Sequence, residues 1–214
     1  HRVRSLLKNG NGVADALYGA GYGSSSRLYE NAESWLGMTP ASYAKGGKGD
    51  HMYYVTADSP LGRMIVAATA RGISFLGFGD DDHGLEAELR QDFPDATIER
   101  DAGPLQKMVS VILENFDHST PGMDLPLDIR ATAFQAQVWQ ALRDIPAGET
   151  RTYRDIAETI GKPKAARAVG RACATNPVSL VVPCHRAIGS SGALTGYRWG
   201  VERKRKLLAR EQSS

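Results

Sequence analysis

The sequence of 214 residues predicts a mixed α/β (α+β) protein, and three observations support this class. Residues 52–82 contain three short apolar runs separated by Ser-Pro-Leu-Gly and Arg-Gly turns, the pattern of a three-stranded antiparallel sheet. Residues 83–93 and 103–116 each carry leucines or other apolar residues on one helical face. From residue 132 onward the pattern is mainly helical. We therefore expect an α/β unit over 52–129 and a helical unit over 130–214.

A third unit is predicted at the start of the chain. Residues 13–37 predict a helix, a glycine turn and a second helix with a serine N-cap and the C-cap Gly37. This is a helix-turn-helix pattern, and we assign it to residues 1–46. Residues 47–51, beside a stretch rich in glycine and charge, are the expected linker. Because the first residue is His1 rather than methionine, we expect the chain to be part of a longer protein.

The helical unit contains a second helix-turn-helix. Three helices are predicted over 132–145, 152–161 and 162–175, each beginning near a Thr or Pro start signal. The last of them has five alanines, so little side-chain bulk separates its backbone from a neighbour, and it carries Lys164, Arg167 and Arg171. Such a helix is either a good structural helix or one that lies close to a nucleic acid groove.

Charge is distributed unevenly along the chain, although the net charge is only +2. Residues 80–128 hold 13 acids and 3 bases, which we expect to form a solvated surface. Residues 151–210 hold 13 bases and 3 acids. A face this basic suits a polyanion, because each neutralised phosphate releases counterions. A solvated helical surface would have the same composition, so charge alone leaves both interpretations open.

Several classes of protein are disfavoured by what the sequence does not contain. No apolar window is long enough for a membrane span, and no basic segment followed by an apolar one suggests a secretion signal. Only two cysteines occur, which indicates a reducing cytosol rather than a disulfide framework. The absence of Cys-x-x-Cys and His-x-x-x-His spacings gives no support to a zinc site.

The stretch NPVSLVVPCHR, residues 176–186, contains an apolar run that predicts a buried strand. Two potentially reactive residues, a cysteine and a histidine, follow at its end. A cysteine attacks as its thiolate, which an adjacent base makes accessible. Cys184 and His185 supply nucleophile and base, but neighbours on a strand point to opposite faces. Their side chains cooperate only if the chain turns there, and Pro183 favours such a break. Cys173, inside the alanine-rich helix, is expected to be a small buried hydrophobe.

This motif, followed by SSGALTGYRWGVERKRKLLARE, closely resembles the O6-alkylguanine-DNA alkyltransferases, whose signature is Pro-Cys-His-Arg. The resemblance covers residues 52–211 and implies a ribonuclease H-like subdomain followed by a winged helix-turn-helix-like domain. Residues 1–46 are similar to the second helix-turn-helix of AraC-type regulators. The order is that of bacterial proteins which join a zinc domain, an AraC-type region and an alkyltransferase, although the zinc module and the first helix-turn-helix are missing here.

The resemblance implies a direct repair reaction without a cofactor or metal, in which an alkyl group passes from guanine O6 to Cys184. His185 would remove the thiol proton through a water, and Glu211 would orient the imidazole. Asn176 would hold the turn, and Tyr153 would donate to guanine N3. The thioether is not readily cleaved, so each molecule would react once. The expected substrate is O6-methylguanine, with O4-methylthymine in a minor role.

The resemblance also implies residues that bind DNA and the base. Because the alkylated base lies inside a duplex, it must be flipped out, and Arg167 would fill the space in the stack. The small helix around it would lie in the minor groove, and Tyr197 would form a pocket wall. The remaining candidates for DNA or substrate contact are Ala166, Ala168, Arg171, Cys173, Ala187 and Arg198. The expected protein is a monomer of the bacterial cytoplasm, associated with the nucleoid, that binds damaged double-stranded DNA and no membrane. A more complete N-terminal region would add promoter DNA as a partner.

Three alternatives use the same residues differently. A cysteine hydrolase would need an oxyanion hole, and the sequence shows no glycine-rich elbow for one. An AraC-type transcriptional regulator or damage sensor fits residues 13–43, but half of its usual paired DNA-binding region is absent. A lesion-binding relative without repair activity normally lacks the cysteine, which is present here.

Overall fold

A computed structural model describes residues 49–118, 123, 125–194 and 196–213. This part of the chain opens with a four-stranded sheet in the order β3-β2-β1-β4. The strands are β1 (His51–Ser59), β2 (Gly62–Thr69), β3 (Gly72–Gly79) and β4 (Thr97–Arg100). The first three pair antiparallel, as predicted, and β4 lies parallel to β1. Strand β1 begins inside the predicted linker, and the helix-turn-helix predicted for residues 1–46 lies outside the described residues.

The sheet separates two layers of apolar side chains because its residues alternate between two faces. Met64, Val66 and Ala68 of β2 face the larger core, which the sheet shares with the C-terminal helices. Ile65 and Ala67 face the other side, where helix α1 (Asp82–Asp92) covers them with leucines. A second helix, α2 (Gln106–His118), packs against the larger core after a short 3₁₀ turn. Both helices agree with the predicted positions.

The C-terminal part contains the three predicted helices and one more. They are α3 (Ala133–Arg143), α4 (Tyr153–Thr159), α5 (Ala166–Ala174) and α6 (Val201–Gln212). Helices α3 and α4 each begin with a capping box, formed by Thr132 with Gln135 and by Thr152 with Asp155. The mixed α/β class is therefore confirmed. In the part of the chain that the structure describes, no helix is long and apolar enough to cross a membrane.

Helix α5 is the alanine-rich helix of the second helix-turn-helix. Its inner face consists of Val169, Ala172 and Cys173. The fully buried Trp139 of α3 donates its indole N–H to the Ala172 carbonyl at 3.0 Å. Since two of the three inner side chains are small, α5 can lie close to α3. On the outer face of α5, Arg167, Ala168 and Arg171 are exposed.

The strand predicted to end at Pro183 is not present, and this expectation was wrong. Residues 177–182 form turns, in which Val178 makes a single bridge to Leu76 and Leu180 adopts a φ of 66°. The segment is buried and β-branched, but Asn176 supplies the hydrogen bonds that a strand would take from a neighbour. A 3₁₀ turn (Cys184–Arg186) follows, then β6 (Ala187–Ile188), which pairs parallel with β5 (Arg151–Thr152).

The acidic and basic parts of the chain meet along one interface. Arg198 donates to Glu88 at 2.6 Å and to Asp92 at 2.8 Å, both on α1. Next to it, Trp199 packs so closely on Gly77 that a Cβ added there would lie 2.6 Å from the indole nitrogen. The expectation that the acidic block is only solvated surface therefore needs correction, because part of it pairs with arginine side chains that follow the motif.

Candidate active site

Asn176 organises the buried turn that carries the cysteine. Its side chain is fully buried, and its Oδ1 accepts from the Val178 backbone N–H at 3.0 Å. Its Nδ2 donates to the Val182 carbonyl at 2.8 Å and to Cys184 Sγ at 3.3 Å. One amide group thus joins the start of the turn, its end and the sulfur. Because buried backbone groups need partners, this side chain adds to the backbone hydrogen bonds that residues 177–184 make among themselves and to Leu76.

Cys184 is a neutral thiol in the resting protein. Burial raises the pKa of this thiol to about 11, and the hydrogen bond from Asn176 and the charge of Lys204 oppose the increase. At neutral pH the sulfur therefore holds its proton, and attack requires that a base remove it. Burial also raises the pKa of Cys173, which lies on the inner face of α5, so that thiol is protonated at neutral pH as well.

The 3₁₀ turn sends consecutive side chains in different directions, so Cys184 and His185 do not lie on opposite faces of a strand. His185 Nε2 lies 2.8 Å from Glu211 Oε1 of α6. Arg186 donates its Nε to both carboxylate oxygens at 3.1 Å and its Nη2 to Oε1 at 2.8 Å. The backbone N–H of Gly148 donates to Oε2 at 3.1 Å, and the φ of 79° at this residue favours glycine.

These contacts fix the tautomer of His185. Burial acts to raise the pKa of Glu211, but hydrogen bonds from His185 and Arg186 hold it at about 2. An ionised carboxylate only accepts hydrogen bonds, so Nε2 carries the proton. Burial lowers the pKa of His185 despite the opposing effect of Glu211, so the ring is neutral at pH 7. Nδ1 is then the basic nitrogen, and none of the described residues hydrogen-bonds to it.

A buried lysine lies beneath this site. Lys204 of α6 is fully buried, and its Nζ donates to the carbonyl of Ala187 at 2.5 Å and to that of Gly196 at 3.4 Å. Burial lowers its pKa, whereas its interactions with the two cysteines raise it. The lysine therefore joins the strand after the motif to the loop that carries Tyr197. The Tyr197 hydroxyl is hydrogen-bonded to Ser179 Oγ at 2.5 Å.

The residues predicted to contact DNA or the base are divided between the surface of α5 and the interior. Arg167, Ala168 and Arg171 are exposed on α5, and Ala166 is half-buried at its start. Tyr153, the first residue of α4, is half-buried against the main core. Ala187 is fully buried, and the side chain of Arg198 turns toward α1. The structure thus joins Asn176 to Cys184 and His185 to Glu211, as two hydrogen-bonded groups that meet at one 3₁₀ turn, and keeps the charged residues of α5 on the surface.

Sequence reasoning did not assign a role to the side chains of Arg186, Lys204, Ser179 or to Gly148. Arg186 belongs to the Pro-Cys-His-Arg motif, but the motif alone assigns no role to its side chain. For Lys204 a signal existed, because Lys204, Leu207 and Leu208 are spaced as one helical face and all three are buried. Gly148 gave no local signal, since its partner lies 63 positions further on. Within the described ranges, no cluster of His, Cys, Asp and Glu could hold a metal ion.

Two family models match the chain. Residues 52–129 match the ribonuclease-like domain of 6-O-methylguanine DNA methyltransferase, and residues 133–213 match its DNA-binding domain. The methylated-DNA–protein-cysteine methyltransferase of Methanosarcina barkeri is 41% identical over 169 residues, which cover 76% of this chain and 99% of that protein. The chain belongs to the O6-methylguanine-DNA methyltransferase family. The predicted resemblance to this family is confirmed.

Further relatives agree with the assignment to this family. The bifunctional transcriptional activator/DNA repair enzyme Ada of Escherichia coli is 46% identical over 210 residues. That alignment covers 98% of the present chain, which spans 59% of the length of Ada. The crystal structure of Mycobacterium tuberculosis OGT in complex with DNA matches with a TM-score of 0.61 and 39% identity, covering 76% of this chain and 93% of that one.

We expect Asn176→Ala to lower the free energy of unfolding by about 2–4 kcal/mol, because three buried groups lose their partner. Urea unfolding measures this loss. Asn176→Asp is the matched variant, because it keeps the acceptor for Val178 and removes both donated hydrogen bonds. The pH dependence of Cys184 alkylation by iodoacetamide, followed by mass spectrometry, should show a higher thiol pKa in Asn176→Asp. An unchanged alkylation profile would contradict the role assigned to Nδ2.

Proposed function

We propose that this chain repairs DNA by transferring the methyl group of O6-methylguanine to its own Cys184. The observation that carries the proposal is the contact between His185 Nε2 and Glu211 Oε1, at 2.8 Å, beside a buried thiol in a chain of this family. Nucleophilic cysteine chemistry needs a thiol, a base and a group that orients the base. Cys184 supplies the thiol, His185 the base and Glu211 the group that orients the base.

The reaction forms an S–C bond and breaks a C–O bond by in-line displacement. The Cys184 thiol proton passes to His185 Nδ1 through a bridging water, and the imidazolium is stabilised by Glu211. The methyl carbon leaves guanine O6, and the departing guanine anion receives a hydrogen bond at N3 from the hydroxyl of Tyr153. Guanine takes up one proton as the thiol gives one up, so the reaction is balanced without a cofactor. Because the thioether is stable, one molecule repairs one lesion.

DNA binds to the exposed face of α5 in this proposal. Arg167, Ala168 and Arg171 present charge and little bulk, which suits a helix that enters the minor groove of a winged helix-turn-helix complex. A flipped base would pass to the pocket bounded by Tyr197, Ala187 and the backbone near Arg198, with Cys173 behind it. Arg167 fills the vacated place in the stack. O4-methylthymine, whose alkylated oxygen has similar chemistry, is the minor substrate, and the active form is a monomer.

A cysteine hydrolase is disfavoured by the same geometry. The imidazole of such an enzyme must also protonate a leaving group and activate water in repeated cycles. Here His185 is fully enclosed, and its Nε2 faces a carboxylate that is already held by Arg186. A single transfer to sulfur fits this enclosed base better than repeated hydrolysis.

Incubation with an oligonucleotide that contains O6-methylguanine should add the mass of one methylene group to the peptide that contains Cys184. Intact mass measurement and peptide mapping detect the addition, and its yield should not exceed one methyl group per protein. Cys173→Ala is the matched control and should still accept the methyl group, because Cys173 lies on the inner face of α5. Methylation of Cys184→Ala would contradict the proposed acceptor.

Arg167→Ala should slow repair of duplex DNA by about ten-fold and that of single-stranded DNA much less, since only the duplex needs its stack filled. Single-turnover rates on the two substrates measure this ratio. Arg205→Ala is the control, because Arg205 is an exposed arginine that pairs with Glu202 on the same helix. Equal losses on duplex and single strands would show that Arg167 contributes only charge.

We further propose that residues 1–46 form part of an AraC-type helix-turn-helix that binds promoter DNA when joined to a more complete N-terminal region. Support comes from the alignment with the E. coli transcriptional activator Ada, which covers 98% of this chain. We expect a protein that consists of residues 1–214 alone to show no sequence-selective retention of a promoter duplex. A gel-shift titration at physiological salt measures this, and selective retention would show that the regulator function resides in this chain.

A further inference from the structure

Arg186 makes more contacts to the carboxylate of Glu211 than His185 does. Its Nε and Nη2 form a fork on the two oxygens, at 3.1, 3.1 and 2.8 Å. Its remaining Nη1 donates to the carbonyl of Ile145 at 2.5 Å, in the loop after α3. The arginine side chain is only 13% exposed, and the glutamate side chain is 11% exposed. A paired fork of this kind fixes the plane of a carboxylate, which a lysine ammonium cannot do.

We propose that Arg186 is a positioning residue for the proposed methyl transfer: its guanidinium holds the Glu211 carboxylate so that the proton of His185 stays on Nε2 and Nδ1 remains the base. The inference rests on the proposed function and extends it to the arginine of the motif. Arg186 touches neither the sulfur nor the position of the substrate in that proposal. It acts through Glu211, which lies between the guanidinium and the imidazole.

The geometry explains why the carboxylate needs a second partner. Before transfer the imidazole is neutral and provides only one N–H to Glu211. Burial alone favours a protonated glutamic acid, and a protonated Glu211 could donate its proton to Nε2 and reverse the tautomer. The permanent charge of Arg186 and the Gly148 N–H keep the carboxylate ionised in this state. The base therefore has its lone pair on Nδ1 before the lesion arrives.

Arg186 also affects the charge of the imidazole itself. The charged groups that act on His185 are Glu211 and Lys204 of α6 and Arg186 of its own turn. The two cations lower the pKa of His185, and Glu211 raises it. Since a proton acceptor must be neutral, the imidazole works only above its pKa. Removal of the arginine charge leaves the imidazole and the Gly148 N–H as the partners of Glu211, so the pKa of His185 rises and the neutral base forms only at higher pH.

The test compares single-turnover methyl transfer as a function of pH in the full chain. We expect Arg186→Gln to move the acid limb of the rate profile upward by about one pH unit, because one nearby cation is lost. Arg186→Lys keeps the charge without the fork, so its rate should fall about ten-fold with the acid limb unchanged. Arg205→Gln, on the exposed surface of α6, should match the unsubstituted protein in both respects. If Arg186→Gln does not fold, Arg186→Met replaces it, because methionine fills similar space without charge.

A second readout is independent of repair activity. Nitrogen NMR of the labelled imidazole should show the proton on Nε2 in the unsubstituted protein and a raised His185 pKa in Arg186→Gln. An unchanged acid limb and an unchanged imidazole pKa in that variant would overturn the inference and reduce Arg186 to a structural contact. If the unsubstituted protein transfers no methyl group at all, the proposed function fails, and the imidazole titration still decides the role of Arg186.

Discussion

The amide of Asn176 is the interaction on which the site depends. Residues 177–186 run through the interior without a long strand or helix, and turn hydrogen bonds and two bonds to Leu76 pair only part of their backbone. A buried segment of this kind is stable only when its polar groups find partners. Asn176 bonds both ends of the turn and the sulfur, and the bridge to Leu76 ties the turn to the sheet. With the turn fixed, the 3₁₀ step can present the thiol, the imidazole and the guanidinium in three directions.

The surface proposed to bind DNA and the site proposed to react differ in how their charged groups are exposed. The surface of α5 is basic and exposed, whereas the ion pair of Arg186 with Glu211 is largely enclosed and Lys204 is fully buried. Glu211 is ionised, His185 and the thiol are neutral, and Lys204 lies below them. A low-dielectric environment strengthens each of these interactions. The acidic part of the chain contributes at a distance, since Glu88 and Asp92 hold Arg198 beside the loop that carries Tyr197.

Strands and helices with a regular apolar pattern could be predicted from the sequence alone. Three strands and five helices of the described part follow from periodicity, caps and turns, and the short edge strand β4 was missed because only Ile98 in it is strongly apolar. The same rules failed for residues 177–182, where a β-branched apolar run forms buried turns. Apolar patterns predict burial, but they do not reveal that an asparagine side chain satisfies the backbone. Pro183 correctly indicated a break in the chain. Because a 3₁₀ turn follows it, the side chains of Cys184 and His185 do not point to opposite faces of a strand.

Site residues that meet only through long-range contacts were harder to predict from the sequence. Cys184 and His185 were predicted from their own chemistry, whereas Asn176 and Glu211 were named only through the family resemblance, and Glu211 lies 26 positions beyond His185. The pairing of Arg186 with Glu211 and the burial of Lys204 depend on how α6 packs against the turn, which local patterns do not encode. Lys204 was recoverable in principle from its helical spacing with two leucines.

The buried, protonated state of Cys184 has a consequence for the lifetime of the molecule. In the proposed methyl transfer each molecule reacts once, so a sulfur lost to peroxide or to another electrophile cannot be regenerated, and thiolates react with both far faster than thiols do. Because Cys184 is only 3% exposed and its thiol keeps its proton at neutral pH, the sulfur is shielded from both reagents. The same enclosure that slows attack thus preserves the unused molecules as a reserve.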